Sequence, residues 1–302
     1  PTAMTNFDRV ARFMEACGPG MPRLIAHLPT DWLRLAVRSC AAAGLQVMAL
    51  KRVEILIETA IKRGRFLNRG RTFDGCKTWI ESAASEHRRL RFRAVVASAM
   101  PDLNQERLNI DEDLSTDRLW NPPRSLTIDR STRGLIEALA PMLRLARRVV
   151  LIEPHFDIGA RNFVNPIRAL LHQAASEPPQ LEEVALHVTS RRDRMRDYLE
   201  NTHLSDFEQL VPTGVRAMVF VWQGDIIPGG PNARDVLHDR FLLTDRGGVQ
   251  VGWGFDTRRG SQTTISLLDD ATCRELEDNV SPESRRFKSA CSTPLIFTGR
   301  AR

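Results

Sequence analysis

The chain has 302 residues, 42% of them hydrophobic and 26% charged, a balance that excludes disordered and fibrous classes and leaves room for one large α/β unit or two modest domains. A formal charge of +6, from 43 basic and 37 acidic residues, favours an anionic partner only weakly. The five cysteines (Cys17, Cys40, Cys76, Cys273 and Cys291) are scattered and form no CxxC pair, which speaks against a disulfide framework or a zinc site. With no apolar run near the ~20 residues that span a bilayer, they predict a cytoplasmic protein. Met4 reads as the natural start, so Pro1 to Ala3 are given no meaning.

Apolar spacing predicts helices over 7–16, over 31–43 after the start signal Pro29-Thr30, and over 51–61. Gly64 and Gly70 then break the pattern in an arginine-rich loop. A helix over 74–87 and a strand over 90–98 follow, and the polar, proline-ended stretch 102–123 reads as a connection. The expected organisation is a helix-rich domain over 1–122 and an α/β domain over 123–302. In the second, helices over 132–146, 162–175, 193–202 and 205–210 alternate with strands over 147–154, 182–190 and 214–222. That order predicts a mostly parallel sheet with helices on both faces. A glycine-rich loop over 224–232, a strand pair split at Arg246-Gly247-Gly248, a strand over 263–268 and a helix over 270–278 complete the unit.

His238 and Arg240 stand two apart on a predicted strand, so both face one side, while Leu237, Phe241 and Leu243 account for the core. An imidazole and a guanidinium together predict a cleft, where the first serves as nucleophile or acid and the second grips a phosphate with two parallel hydrogen bonds. Asp245 ends the strand, and Gly252 and Gly254 in the returning strand are expected to let a ligand or a second backbone approach closely.

This spacing resembles the HxKxxxxD signature of the phospholipase D superfamily, in which six residues separate the aspartate from a glycine; here it stands as His238, Arg240, Asp245 and Gly252. The resemblance covers roughly 127–278 and implies a phospholipase D-like α/β/α sandwich with phosphodiesterase chemistry that needs no metal and no cofactor. It gives His238 the role of nucleophile, through a phosphohistidine, or of acid, Arg240 that of phosphate clamp, and Asp245 a supporting catalytic role. Arginine in place of the family's lysine keeps the charge but turns a point donor into a planar fork. Trp253, Gly254, Phe255 and Asp256 occupy the stretch where serine and asparagine usually follow the glycine. Asp256, counted with Gly252 and Gly254 among the substrate-facing residues, would there repel a phosphate. Only one motif copy is present where the family's enzymes need two. Either a homodimer pairs two His238 residues across a two-fold axis, or the site does not turn over.

The stretch VGWGFD (251–256) is also similar to the phospholipase D-like domain that follows microtubule-interacting-and-transport domains, a likeness that implies phospholipid head-group binding without hydrolysis. Glu153-Pro154-His155-Phe156-Asp157 comes directly after a predicted buried strand, where an open α/β sheet forms its crevice. It resembles the DPYF-type segment near phospholipase D-like active sites, which makes His155 the candidate for a second imidazole, the acid. His187, inside a strand pattern, reads as a core histidine.

Arg191 and Arg192, with Arg194 and Arg196, follow a predicted strand and are expected at the cleft mouth as contacts to backbone phosphates. The groups Arg63, Arg65, Arg69 and Arg71, then Arg88, Arg89, Arg91 and Arg93, read equally as a nucleic-acid surface or a solvated face. Aromatic residues are 6% and show no stacking pattern beside these arginines, which argues against a module that reads RNA bases. The expected function is a phosphodiesterase, a nuclease acting on nucleic acid of the kind found in bacterial antiviral defence. The alternatives are a non-catalytic phosphate-binding module for nucleic acid or a peripheral lipid head group, and an interaction subunit whose N-terminal helices recruit an effector protein.

Overall fold

The computed structural model describes residues 7–17, 23–68, 70–97, 107–109, 114–176, 181–190, 199–223, 237–284, 286–291 and 293–301. The chain divides into two compact units, Pro1–Pro123 and Arg124–Arg302.

In the first unit, α1 (Phe7–Glu15), α2 (Trp32–Ala42) and α3 (Val47–Lys62) each bury one stripe at helical spacing: Val10 and Met14, then Trp32, Ala36 and Cys40, then Val53, Ile57 and Ala60. The three stripes pack into one core. The next helix, α4 (Trp79–Arg89), starts later than the expected residue 74, because Thr78 forms a capping box with Glu81. Asp74 instead accepts a hydrogen bond from the Cys76 N–H at 3.0 Å. Two short parallel pairs complete the unit, β1 (Ile25–Ala26) with β2 (Phe66–Leu67) and β3 (Val95–Ala97) with β4 (Arg107–Asn109). The predicted strand over 90–98 is thus reduced to β3, and β4 falls inside the stretch read as a connection.

Several of the arginines read equally as a nucleic-acid surface or a solvated face make contacts within this unit. Arg89 donates to the buried Glu86 carboxylate at 2.8 and 2.6 Å, the Arg71 guanidinium lies 3.8 Å from the Phe92 ring centre, and Arg65 is buried. Arg63, Arg88 and Arg93 remain exposed, and Arg69 lies outside the described residues.

The second unit is a mixed α/β fold. Its elements run β5 (Ser125–Asp129), α5 (Thr132–Leu143), β6 (Arg148–Ile152), α6 (Arg161–Ala174), β7 (Glu183–Ser190), α7 (Leu204–Leu210), β8 (Arg216–Gln223), β9 (Phe241–Thr244), β10 (Gly247–Val251), β11 (Gln262–Leu267), α8 (Asp270–Asn279) and β12 (Leu295–Thr298). One eight-stranded sheet has the order β12-β8-β7-β6-β9-β10-β11-β5. Only β6 with β7 and β7 with β8 are parallel; the other neighbours are antiparallel, which corrects the expectation of a mostly parallel sheet. The reason lies in the connections. Helices α6 and α7 carry the chain over between parallel strands, whereas the two-residue turn Asp245-Arg246 reverses it directly.

Strand β6 is covered on both sides. Val149 and Leu151 pack with Leu135, Leu139 and Leu143 of α5 and with Ile167, Leu170 and Leu171 of α6, while Val150 and Ile152 pack with Phe241, Leu243, Trp222 and Val280. Leu276 of α8 joins the second cluster, so helices flank both faces. The pairing directions bring the carboxyl ends of β5, β6, β7, β8 and β10 to the same end of the sheet as the amino ends of β9 and β11. The candidate site lies at that end.

Candidate functional site

Residues His238 and Arg240 precede β9 instead of lying within it, since the strand begins at Phe241. The expected alternation survives in part: Leu237, Phe241 and Leu243 are buried, and His238 is exposed. One residue beyond the last β6–β9 pair, Ile152 with Phe241, stand Glu153 and Arg240. Their side chains meet, with Arg240 Nε 3.9 Å from Glu153 Oε1. Arg240 keeps 26% of its side chain exposed, and its buried Nε has no hydrogen-bond acceptor among the described residues.

Glu153 organises this corner. Its side chain is only 1% exposed, and it accepts the Phe255 N–H on Oε2 at 2.9 Å and the His155 N–H on Oε1 at 3.2 Å. The close approach that Gly254 allows is therefore to a carboxylate of its own chain. At φ +87° this glycine sits where L side chains are strained, and a Cβ would lie 2.4 Å from Glu153 Oε2. Gly252 carries no such demand, because a Cβ there would meet nothing nearer than the Thr264 carbonyl oxygen at 3.6 Å.

Burial pushes the Glu153 carboxyl up to about 7; the two N–H donors and the Arg240 charge pull it down, and the Asp256 charge adds to the rise. In the unfolded chain the group titrates near 4.5, so between these values the native state holds more proton and stability falls as pH rises. The contribution, on the order of 3 kcal/mol, is complete below the lower value and gone above the upper one. Urea unfolding across this range is expected to show Glu153→Gln gaining on wild type by that amount as pH increases. A difference that stays constant with pH would mean that the carboxyl titrates alike in both states.

Asp256 does not face a phosphate unopposed. It is paired with Arg130, which follows β5 and is 7% exposed. The Arg130 guanidinium also lies 5.8 Å from the centre of the Trp253 ring. The Trp253 N–H donates to the hydroxyl of buried Thr263 at 3.0 Å. The loop 252–256 is thereby fastened at three successive points, to Thr263, Glu153 and Arg130.

Asp245 is not brought to His238. It follows the carboxyl end of β9, whereas His238 precedes the amino end, so the length of the strand separates them. Its Oδ1 accepts from the Arg147 N–H at 2.9 Å, and Oδ2 stands 3.3 Å from Arg246 Nε, so it fastens the β9–β10 turn to the start of β6. These contacts of Asp245 are structural. His155 is exposed and leaves the carboxyl end of β6 at the same sheet end as His238. Asp157, also exposed, accepts from the Gly159 N–H at 2.9 Å. Arg191 and Arg192 lie outside the described residues.

No family model matches the chain, and no curated protein matches it in sequence.

His187 is a core residue. It stacks on Phe220 at 4.6 Å between ring centres and accepts the Trp222 indole N–H on Nδ1 at 3.1 Å. Burial, with a smaller push from the Arg148 charge, lowers it to about 3. Among the described residues no three His, Cys, Asp or Glu side chains are gathered as a metal would need, and no helix is long and apolar enough to cross a membrane. None of the five cysteines is disulfide-bonded.

The sequence reading named Glu153 only as the first residue of the 153–157 segment, without a role, and passed over Arg130. For Glu153 a signal existed, an acid closing the apolar run VVLI just before a proline. For Arg130 there was none, because its partner lies 126 residues away in sequence.

Proposed function

We propose that the second unit is a phospholipase D-like α/β/α domain and a phosphodiesterase acting on nucleic acid, with His238 as nucleophile and Arg240 as phosphate clamp. The observation that carries this reading is that the β6–β9 pairing brings His155, Glu153, Arg240 and His238 out at one end of the sheet. Arg240 is suited to the clamp. It is partly exposed, so the solvent-facing part of its guanidinium can meet a phosphate oxygen. Glu153 behind it orients the guanidinium without occupying it at hydrogen-bonding distance.

In the proposed reaction an imidazole nitrogen of His238 attacks phosphorus, and the bond to the leaving oxygen breaks. A second imidazole gives that oxygen its proton. Water then attacks the phosphohistidine, returns a proton to the second imidazole and releases His238. His155 of the same chain supplies this second group, or a homodimer supplies His238 of another copy.

A second reading, a phosphate-binding module without turnover, is favoured by one observation. The loop that stands where the family has serine and asparagine is committed to structural bonds with Thr263, Glu153 and Arg130. The two readings separate on cleavage of single- and double-stranded DNA and RNA in EDTA. Cutting by wild type supports the phosphodiesterase. Binding without cutting, weakened by Arg240→Ala, supports the module and sinks the enzyme.

A further inference from the structure

Trp253 is 65% exposed, the most exposed Phe or Trp side chain among the described residues. A single apolar side chain in water is common and by itself means little. The backbone that carries this one is held in place. The Trp253 main-chain N–H is bonded to Thr263, the next residue is Gly254 packed on Glu153, and the following Phe255 is fully buried. Its flank is cationic, with the Arg130 guanidinium 5.8 Å from the ring centre and Arg258 and Arg259 exposed on the same loop.

The residue also stands at the same end of the sheet as His238 and Arg240. The Val251 N–H donates to the Arg240 carbonyl at 2.9 Å, and Trp253 and His238 each stand two residues from that bond. Their Cα atoms are therefore no more than roughly 20 Å apart, a span that a short stretch of single strand covers.

We propose that Trp253 is a stacking platform for an unpaired nucleobase, so that the polymer held at His238 and Arg240 is single-stranded nucleic acid. This rests on the phosphodiester site proposed above. A base stacked on indole lies parallel to the ring while its backbone runs towards cationic groups, and every base offers such a face, so binding is tolerant of sequence. A duplex hides those faces. A membrane surface fits less well, because insertion takes a broad apolar face. Among the described residues, the other exposed large apolar side chains of this unit, Leu126 and Ile296, lie on the two edge strands β5 and β12.

The test uses the full chain carrying His238→Ala, in EDTA, so that the probe stays intact. Fluorescence anisotropy is read with a labelled single strand of about 12 nucleotides and with its duplex. Adding Trp253→Ala is expected to weaken single-strand binding about tenfold and duplex binding less than about twofold, and Trp253→Phe to restore most of the loss. Equal losses on both probes, or no loss on either, overturn the platform. So does a failure to bind single strands at all, or loss of binding only to phosphatidylserine vesicles. Cleavage that requires His238 but ignores Trp253→Ala overturns the platform alone, whereas single-strand binding through Trp253 by a wild type that cuts nothing overturns the phosphodiesterase alone.

Discussion

His238→Ala is expected to lower metal-independent cleavage by about a thousandfold or more, the scale on which a covalent nucleophile fails when its attacking atom is removed. Exposure makes this a clean variant. The imidazole lies outside the core, next to buried Leu237, so its loss leaves the packing of β9 intact. His155→Ala provides the contrast. As general acid it contributes about 10²- to 10⁴-fold, and only while the leaving oxygen needs a proton. In the burst of p-nitrophenolate from bis-p-nitrophenyl phosphate, which reads the first step alone and whose leaving group departs as a stable anion, the His155→Ala defect is expected to shrink towards wild type, while the His238→Ala defect persists. Equal defects of His155→Ala on both substrates would remove His155 from the acid role and leave that role to a second copy of the chain. Retained cleavage by His238→Ala would sink the mechanism as a whole.

The placement of these residues was partly legible in the sequence. Spacing of two between His238 and Arg240 foretold a shared location, and both do emerge where β9 begins. What the spacing did not reveal is that the strand starts only at Phe241, because strand limits are set by pairing partners, here Ile152, 89 residues away in sequence, and Gln250 across the turn. Asp245 shows what register in a motif does not reveal. Strand β9 lies between it and His238, and it is bonded to Arg147. The helices of the first unit could be read because each stripe is local, as in Trp32, Ala36 and Cys40. The two edge strands escaped notice for the complementary reason. Most of β5 is exposed and β12 alternates over only four residues, so neither shows an apolar run. The sheet's direction was misjudged because alternating strands and helices foretell parallel neighbours, while strand β9 is inserted antiparallel beside β6 from 89 residues downstream of it.

Gly254→Ala is expected to destabilise the second unit by about 3 to 5 kcal/mol, lowering its melting temperature by roughly 10 °C. Two effects combine. An L side chain at φ +87° is strained, by about 1 to 2 kcal/mol. The new methyl group also falls 2.4 Å from Glu153 Oε2, so the carboxylate must move, and in moving it leaves the Phe255 and His155 N–H groups without their acceptor. Gly252→Ala, two residues away in the same loop, is the control and is expected to stay within about 1 kcal/mol of wild type, since its Cβ meets only ordinary contacts. If glycine at 254 were needed for its backbone angle alone, Glu153→Ala would leave the cost of Gly254→Ala unchanged. If the carboxylate is what fills the space, the double variant is relieved of the collision and costs at least about 1 kcal/mol less than the two single losses added together. Non-additivity of that sign would establish that Glu153 and Gly254 act as one unit in holding the loop against Arg240, and strict additivity would refute it.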